Sequence, residues 1–260
     1  MNLKQELVLL QTALMFYTRI PVSSDLPYSE DLLNQSRKYF TTIGLIIGAF
    51  VVLSYWIANW FFPYYIAVII SVTAGILSTG AFHEDGFADS CDGLGGGWSK
   101  DQVLAIMKDS RIGTYGTIGL LLILMIKLAV LIELANQHFL LWSTIVLASH
   151  TVSRLQSSRQ IRHYDYVQDV DKSKIKPIAN LKLTPEAERF SILIALLPCA
   201  FLLFSSIAVV FWGLILSYFS ASLFMRYCEK RIGGYTGDIL GAIQQISEVV
   251  FLLCCVSVFH

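Results

Sequence analysis

The chain has 260 residues, 55% hydrophobic and only 15% charged, and its Lys and Arg balance its Asp and Glu to a formal net charge of zero. Soluble domains carry about 25% charged residues, so this composition, with its long uncharged runs, excludes an ordinary soluble domain and points to an integral membrane protein. Zero net charge also excludes the broad basic footprint of a nucleic-acid binder.

In chain order, Leu3–Phe16 is apolar but short, and is expected to form an amphipathic or partly embedded helix. No small-residue cleavage site follows it, so no signal peptide is expected. Apolar runs long enough to cross a bilayer are read at Tyr39–Phe61, Tyr64–Phe82, Ile112–Leu134, Phe139–Ser153, Phe190–Val210, Trp212–Tyr227 and Ile239–Phe259. The prediction is an all-α polytopic bundle of about seven transmembrane helices, one membrane domain over 1–260. Its functional loops are 83–111, 154–189 and 226–238. Phe190–Tyr227 lacks a charged break, and a tight turn near Phe211 is expected to divide it.

On this layout 18 of the 19 Lys and Arg fall on one side, and Lys127 alone falls inside a span. The positive-inside rule then places the N-terminus and all the long loops in the cytoplasm. Gln156–Arg189 is mixed in charge and reads as either a substrate-binding lid or a solvated linker. The cysteines (Cys91, Cys199, Cys228, Cys254 and Cys255) form no CxxC pair and read as small buried hydrophobes.

His83-Glu84-Asp85-Gly86-Phe87-Ala88-Asp89-Ser90-Cys91-Asp92-Gly93 follows the second run directly and packs four carboxylates into nine residues. Read as a continuation of the preceding helix, it places Asp89 about 40° and Asp92 about 20° from Asp85 on one face, with Glu84 about 100° away. Like charges at this spacing repel. A hard divalent cation such as Mg²⁺ resolves that repulsion, with Glu84, Asp85, Asp89 and Asp92 as candidate ligands. Acidic residues in a solvated loop are the plainer alternative. His83 is placed to orient a carboxylate or phosphate.

Gly93–Lys100 is expected to be a flexible loop whose N–H groups cradle phosphate, although it matches no P-loop. Lys108, Asp109 and Arg111 then lead into the next span. Arg111 suits bidentate phosphate contact, and both basic residues also fit as span flanks. Asp238 stands at another membrane edge, where a helix N-cap is the plain reading. Gln244 and Glu248 share a face and are expected to point into the bundle. His150 and Arg154, also four apart, read as a phosphate contact or, for Arg154, a snorkelling flank.

Four stretches together resemble the cobalamin synthase family, the adenosylcobinamide-GDP ribazoletransferases. They are Phe16–Pro21, His83–Gly93, Met107–Gly116 and Gly234–Ala242, in the family's order across nearly the whole chain. The resemblance implies an Mg²⁺-dependent inner-membrane enzyme that joins adenosylcobinamide-GDP to α-ribazole or α-ribazole 5′-phosphate and releases GMP. It implies membrane lipid as surroundings, no nucleic acid as partner, and allows a homo-oligomer. On this reading Asp85, Asp89, Asp92, Asp109 and Arg111 are catalytic, and His83, Lys108, His150, Arg154 and Asp238 bind substrate. The acidic stretch also resembles the CDP-alcohol phosphotransferases at Asp85-Gly86 and Ala88. It carries Asp89 where that family has Arg, and the downstream Gly and paired Asp do not follow at its spacing. A divalent-cation transporter using the acidic cluster is the alternative from another class. The acids' position at one edge and the lack of an internal repeat count against it.

Overall fold

The computed structural model describes residues 3–167 and 182–259, and is all-helical. The first elements are α1 (Leu3–Tyr17), α2 (Glu30–Ser36), a 3₁₀ turn (Arg37–Tyr39), α3 (Phe40–Ala58), α4 (Tyr64–Thr79), α5 (Phe82–Gly96) and α6 (Lys100–Met107). The remainder are α7 (Thr114–Leu134), α8 (Phe139–Gln160), α9 (Pro185–Leu202), α10 (Ile207–Ile232) and α11 (Gly237–Phe259). The seven apolar runs correspond to α3, α4 and α7–α11. By length and apolarity alone, four helical runs can cross a membrane: Glu30–Ala58, α7, α10 and α11; α4 with α5 makes a fifth as a bent pair. Helix α8 is diluted by polar side chains, and α9 carries Glu186, Glu188 and Arg189 in its first turns.

Several expected boundaries move. The acidic stretch does not continue the preceding helix. Gly80 (φ 68°) and Ala81 (φ 58°) are both left-handed, and the chain bends 85° between α4 and α5. A glycine takes this conformation without cost; an alanine gives up about 1–2 kcal/mol to do so. The break expected near Phe211 falls instead at 203–206, where the Ser206 hydroxyl caps α10 by accepting from Val209 N–H (3.3 Å).

The predicted loops are largely helix. Residues 83–111 hold α5 and α6, and Gly93–Gly96 belong to α5, so the expected phosphate-cradling loop is absent there. Helix α10 runs through Arg226 to Ile232 and stops at Gly233 (φ 84°), with Lys230 and Arg231 complementing its dipole. Helix α8 continues past Arg154 because its polar residues find partners inside the protein. Ser157 donates to Leu240 O (2.8 Å) and Gln156 to Ser217 (3.4 Å). Of the predicted loop 154–189, residues 168–181 lie outside the described residues.

Helix α11 is the central post: 72% of its apolar stretch is buried, against 28% for α7 and for α10. It packs on α5, α7, α8 and α10. The main core joins α3, α4, α7, α8 and α11 around Trp142, whose indole donates to Leu131 O (3.1 Å) and whose ring lies 4.2 Å from Tyr55. Ile118, Leu121, Leu122 and Met125 on α7, with Phe211, Ile215, Phe219 and Leu223 on α10, face outward, as lipid-facing helices do. One end of the bundle gathers the α5–α7, α8–α9 and α10–α11 connections. The other is aromatic, with Trp56, Trp60 and Tyr64 beside the α7–α8 turn.

Candidate active site

The predicted site residues separate into two groups on opposite sides of α5. The first is an acidic face. Asp85 and Asp89 lie one turn apart on α5, and Asp238 opens α11. The two helices meet closely because residue 86 is glycine: a Cβ there would come within 2.9 Å of the Asp238 backbone. Asp89 interacts electrostatically with Asp85, Asp92 and Asp238, and Asp238 with Asp85. Asp85 is exposed, and Asp89 and Asp238 are half-buried. Among the described residues, none of these carboxylates has a Lys, Arg or His within ion-pair distance.

The N-cap role open to Asp238 belongs to Thr236, whose hydroxyl oxygen accepts from Ile239 N–H (3.2 Å). Asp238 is thereby left to the acidic face, with the Thr236 hydroxyl 3.5 Å from its Oδ2. Asp92 is buried, and its two oxygens accept from Gly113 N–H (2.7 Å) and Gly116 N–H (2.8 Å). It caps the N-terminus of α7, where the helix dipole favours a negative charge. Among the described residues, no three His, Cys, Asp or Glu side chains converge tightly enough to cage a metal ion.

The second group is a buried polar cluster around a cavity of about 20 Å³, room for little more than one water. Glu84 faces it, accepting from Gln245 Nε2 (3.0 Å). Lys127 and Glu248 form a buried ion pair at 2.7 Å. Gln244 donates to Glu248 (2.8 Å) and to Ser153 (3.0 Å), and Gln245 donates to Gln244 (2.8 Å). His150 approaches Glu248 at 3.7 Å. Arg154 is 1% exposed, donates to His150 O (3.0 Å) and lies over the Phe40 ring, so it does not snorkel. His83 is 2% exposed and stacks on Phe40. Thus His83, Glu84, His150 and Arg154 come together, but away from Asp85, Asp89 and Asp238.

Lys108 and Arg111 are exposed on the α6–α7 connection. Arg111 pairs with Asp109 (2.6 Å), and the connection leads to Gly113, where Asp92 is bound. The Arg111 side chain and backbone hydrogen bonds hold the Asp109 carboxyl down to about 2. A general base works best near the operating pH, so Asp109 is poorly suited to that role. Sequence reasoning missed Gln245, the Lys127–Glu248 pair, and Arg231, which donates to Gly97 O (2.5 Å) and Leu94 O (3.3 Å) and so fastens the end of α5. One signal was visible: a lone lysine within an apolar span demands a partner.

A family profile described as cobalamin-5-phosphate synthase matches residues 9–256 of this chain. The chain belongs to the cobalamin-5-phosphate synthase family. An adenosylcobinamide-GDP ribazoletransferase of Shewanella frigidimarina is 41% identical over 252 residues, covering 96% of this chain and 93% of the relative. Enzymes of the same name are 38% identical in Vibrio parahaemolyticus (100% and 96% covered) and 40% identical in Vibrio cholerae (96% and 94% covered). No solved structure matches significantly. This member of the family is therefore an enzyme, built as a polytopic helix bundle whose acidic helix α5 lies within the matched region.

Proposed function

We propose that the chain transfers the adenosylcobinamide-phosphate group from adenosylcobinamide-GDP to α-ribazole or α-ribazole 5′-phosphate, releasing GMP, with Mg²⁺ as cofactor. The single observation that carries this reading beyond the family is the acidic face. Asp85, Asp89 and Asp238 meet from two helices with no described cation among them. Hard, unpaired carboxylate oxygens are the donor chemistry Mg²⁺ prefers. Mg²⁺ keeps several waters and is bound by one or two carboxylates plus substrate phosphates, so a full protein cage is not required. Asp85, Asp89 and Asp238 would hold it, with Asp92 and Glu84 committed to α7 and to Gln245. Mg²⁺ bound there would neutralise charge on the diphosphate.

In the transfer, a ribose hydroxyl of the acceptor attacks the cobinamide-side phosphorus. The new P–O bond forms as the bond to the GMP oxygen breaks, and the hydroxyl proton passes to a carboxylate. A nucleotide acceptor has no free 5′-hydroxyl, so a reaction common to both acceptors uses another ribose hydroxyl. Asp89, flanked by Asp85 and Asp238, is best placed to take the proton. Lys108 and Arg111, exposed on the α6–α7 connection, supply cations for phosphate oxygens at the same end of the bundle. The basic loops support an inner-membrane placement with this end in the cytoplasm.

The test is purified protein in nanodiscs with adenosylcobinamide-GDP, α-ribazole and Mg²⁺. Formation of corrin product with GMP, abolished by chelation, supports the reading; transport of a divalent cation without GMP release overturns it.

A further inference from the structure

A third polar feature lies where α8 ends and α9 begins. It is a pocket of about 180 Å³, with Arg37, Arg159, Arg162, Lys182 and Glu188 in its lining. A single water needs only about 10–15 Å³, so this space suits a larger polar group. Among the described residues, four basic side chains face one acid there, and that acid is engaged by Arg162 at 2.6 Å. The surplus is positive, and its complement is an anion. Arg37 is 3% exposed and forms the floor; Arg159 and Lys182 are exposed at the rim. Guanidinium groups arranged this way match the oxygens of a phosphate.

The position of the pocket favours a lipid phosphate over a soluble one. The Arg159 guanidinium lies over the Tyr218 ring at 5.2 Å. Tyr218 is exposed on α10 between Ile215 and Phe219, within the outward-facing row of that helix. Tyrosine, with an apolar body and a polar tip, is enriched at the level of lipid headgroups. Leu183 and Pro185 give the pocket an apolar side, and α9 runs on from there to the exposed Leu193 and Leu197. The pocket thus opens beside apolar helix surface, at the end of the bundle where the basic loops gather. Basic pockets between membrane helices on that side hold anionic headgroups. The acidic face lies on the other side of a ring pair. Tyr235 interacts electrostatically with Arg37, Tyr166 with Asp238, and the two rings pack 5.7 Å apart.

We propose that this pocket holds the phosphate of an anionic phospholipid headgroup, tying the start of α9 to the end of α8 at the membrane surface. Such binding is independent of the transfer reaction. The test is native mass spectrometry of the whole chain, titrated in detergent with phosphatidylglycerol or with phosphatidylcholine, whose choline cation cancels the phosphate charge. The variants are R159Q, K182Q and R159Q/K182Q. Both positions are exposed, so folding should survive, and helical circular dichroism checks it. A control variant, R226Q/K230Q, removes two exposed charges from α10 outside the pocket. The parent should bind one phosphatidylglycerol at least about tenfold more tightly than phosphatidylcholine, in line with charge-assisted hydrogen bonds. The double variant should lose that preference, R159K should keep part of it, and the control should keep it all. Equal binding of the two lipids by the parent overturns the proposal. An equal loss in the control also overturns it, because the preference then belongs to diffuse attraction by the basic end. A second arm adds inorganic phosphate to protein in phosphatidylcholine nanodiscs. A rise in the thermal midpoint of the parent but not of R159Q/K182Q, with displacement of phosphatidylglycerol, assigns the pocket to a soluble phosphate and overturns the lipid assignment.

Discussion

The two faces of α5 handle charge in opposite ways. Toward α7 and α8 it turns Glu84 into a cluster where Lys127 and Arg154 balance Glu84 and Glu248, and where the amides of Gln244 and Gln245 link the carboxylates. Toward the bundle's end it turns Asp85 and Asp89 to Asp238, with no described cation to balance them. Buried charge persists only when paired and hydrogen-bonded. The first face meets much of that condition with protein groups, though Glu84 Oε2 and Arg154 Nε have no hydrogen-bond partner among the described residues, while the second is where the proposed ion would bind. One helix, within two consecutive residues, thus separates a cluster that ties helices together from the face proposed to react.

Substitutions should separate the faces. The largest effect is expected for Asp89→Asn, with GMP release falling about 10²–10⁴-fold while the thermal midpoint and membrane insertion stay near the parent's. Near-parental turnover would remove Asp89 from the chemistry. Lys127→Met should instead destabilise the bundle by about 3–5 kcal/mol, because Glu248 is left buried and unpaired. Detergent-titrated unfolding measures this, and the double variant Lys127→Met with Glu248→Leu should recover most of the loss. If the double variant is as unstable as the single, the pair is not what fixes these helices. Asp92→Ala sits between the faces and should cost about 1–2 kcal/mol by leaving the Gly113 and Gly116 N–H groups uncapped. Smallest is the exposed Asp109–Arg111 pair. With its carboxyl lowered from 3.8 to about 2, its contribution is present above 3.8 and is lost as pH falls through 2. Asp109→Asn should leave the thermal midpoint close to the parent's, because solvent screens an exposed pair, and an NMR titration of Asp109 centred near 4 would contradict the pairing.

The apolar runs and the acidic stretch were legible because membrane helices and like-charge crowding are written locally, in length and spacing. The lone charge at Lys127 was legible as an anomaly, but its partner lies 121 residues away on α11, which no local pattern reveals. The bend between α4 and α5 was hidden because half of it is Ala81, a residue ordinarily at home in a helix. The continuation of α8 beyond Ser153 was hidden for a related reason. Gln156 and Ser157 look like loop residues until Ser217 and Leu240 are known to face them. Asp238 looked like a cap, and only the placement of the Thr236 hydroxyl releases it for another role.

Helix α5 is fastened independently at its start by Glu84 to Gln245, at its middle by the Gly86 contact with α11, and at its end by Asp92 to α7 and Arg231 to Gly97. None of these attachments uses the carboxylates of Asp85, Asp89 or Asp238. Chelation should therefore silence the enzyme without melting it: EDTA-treated protein should keep its helical circular dichroism and its unfolding midpoint, and regain activity when Mg²⁺ is returned. On the proposed reading, packing rather than the ion sets the acidic face, so loading the ion is expected to be reversible and separate from folding.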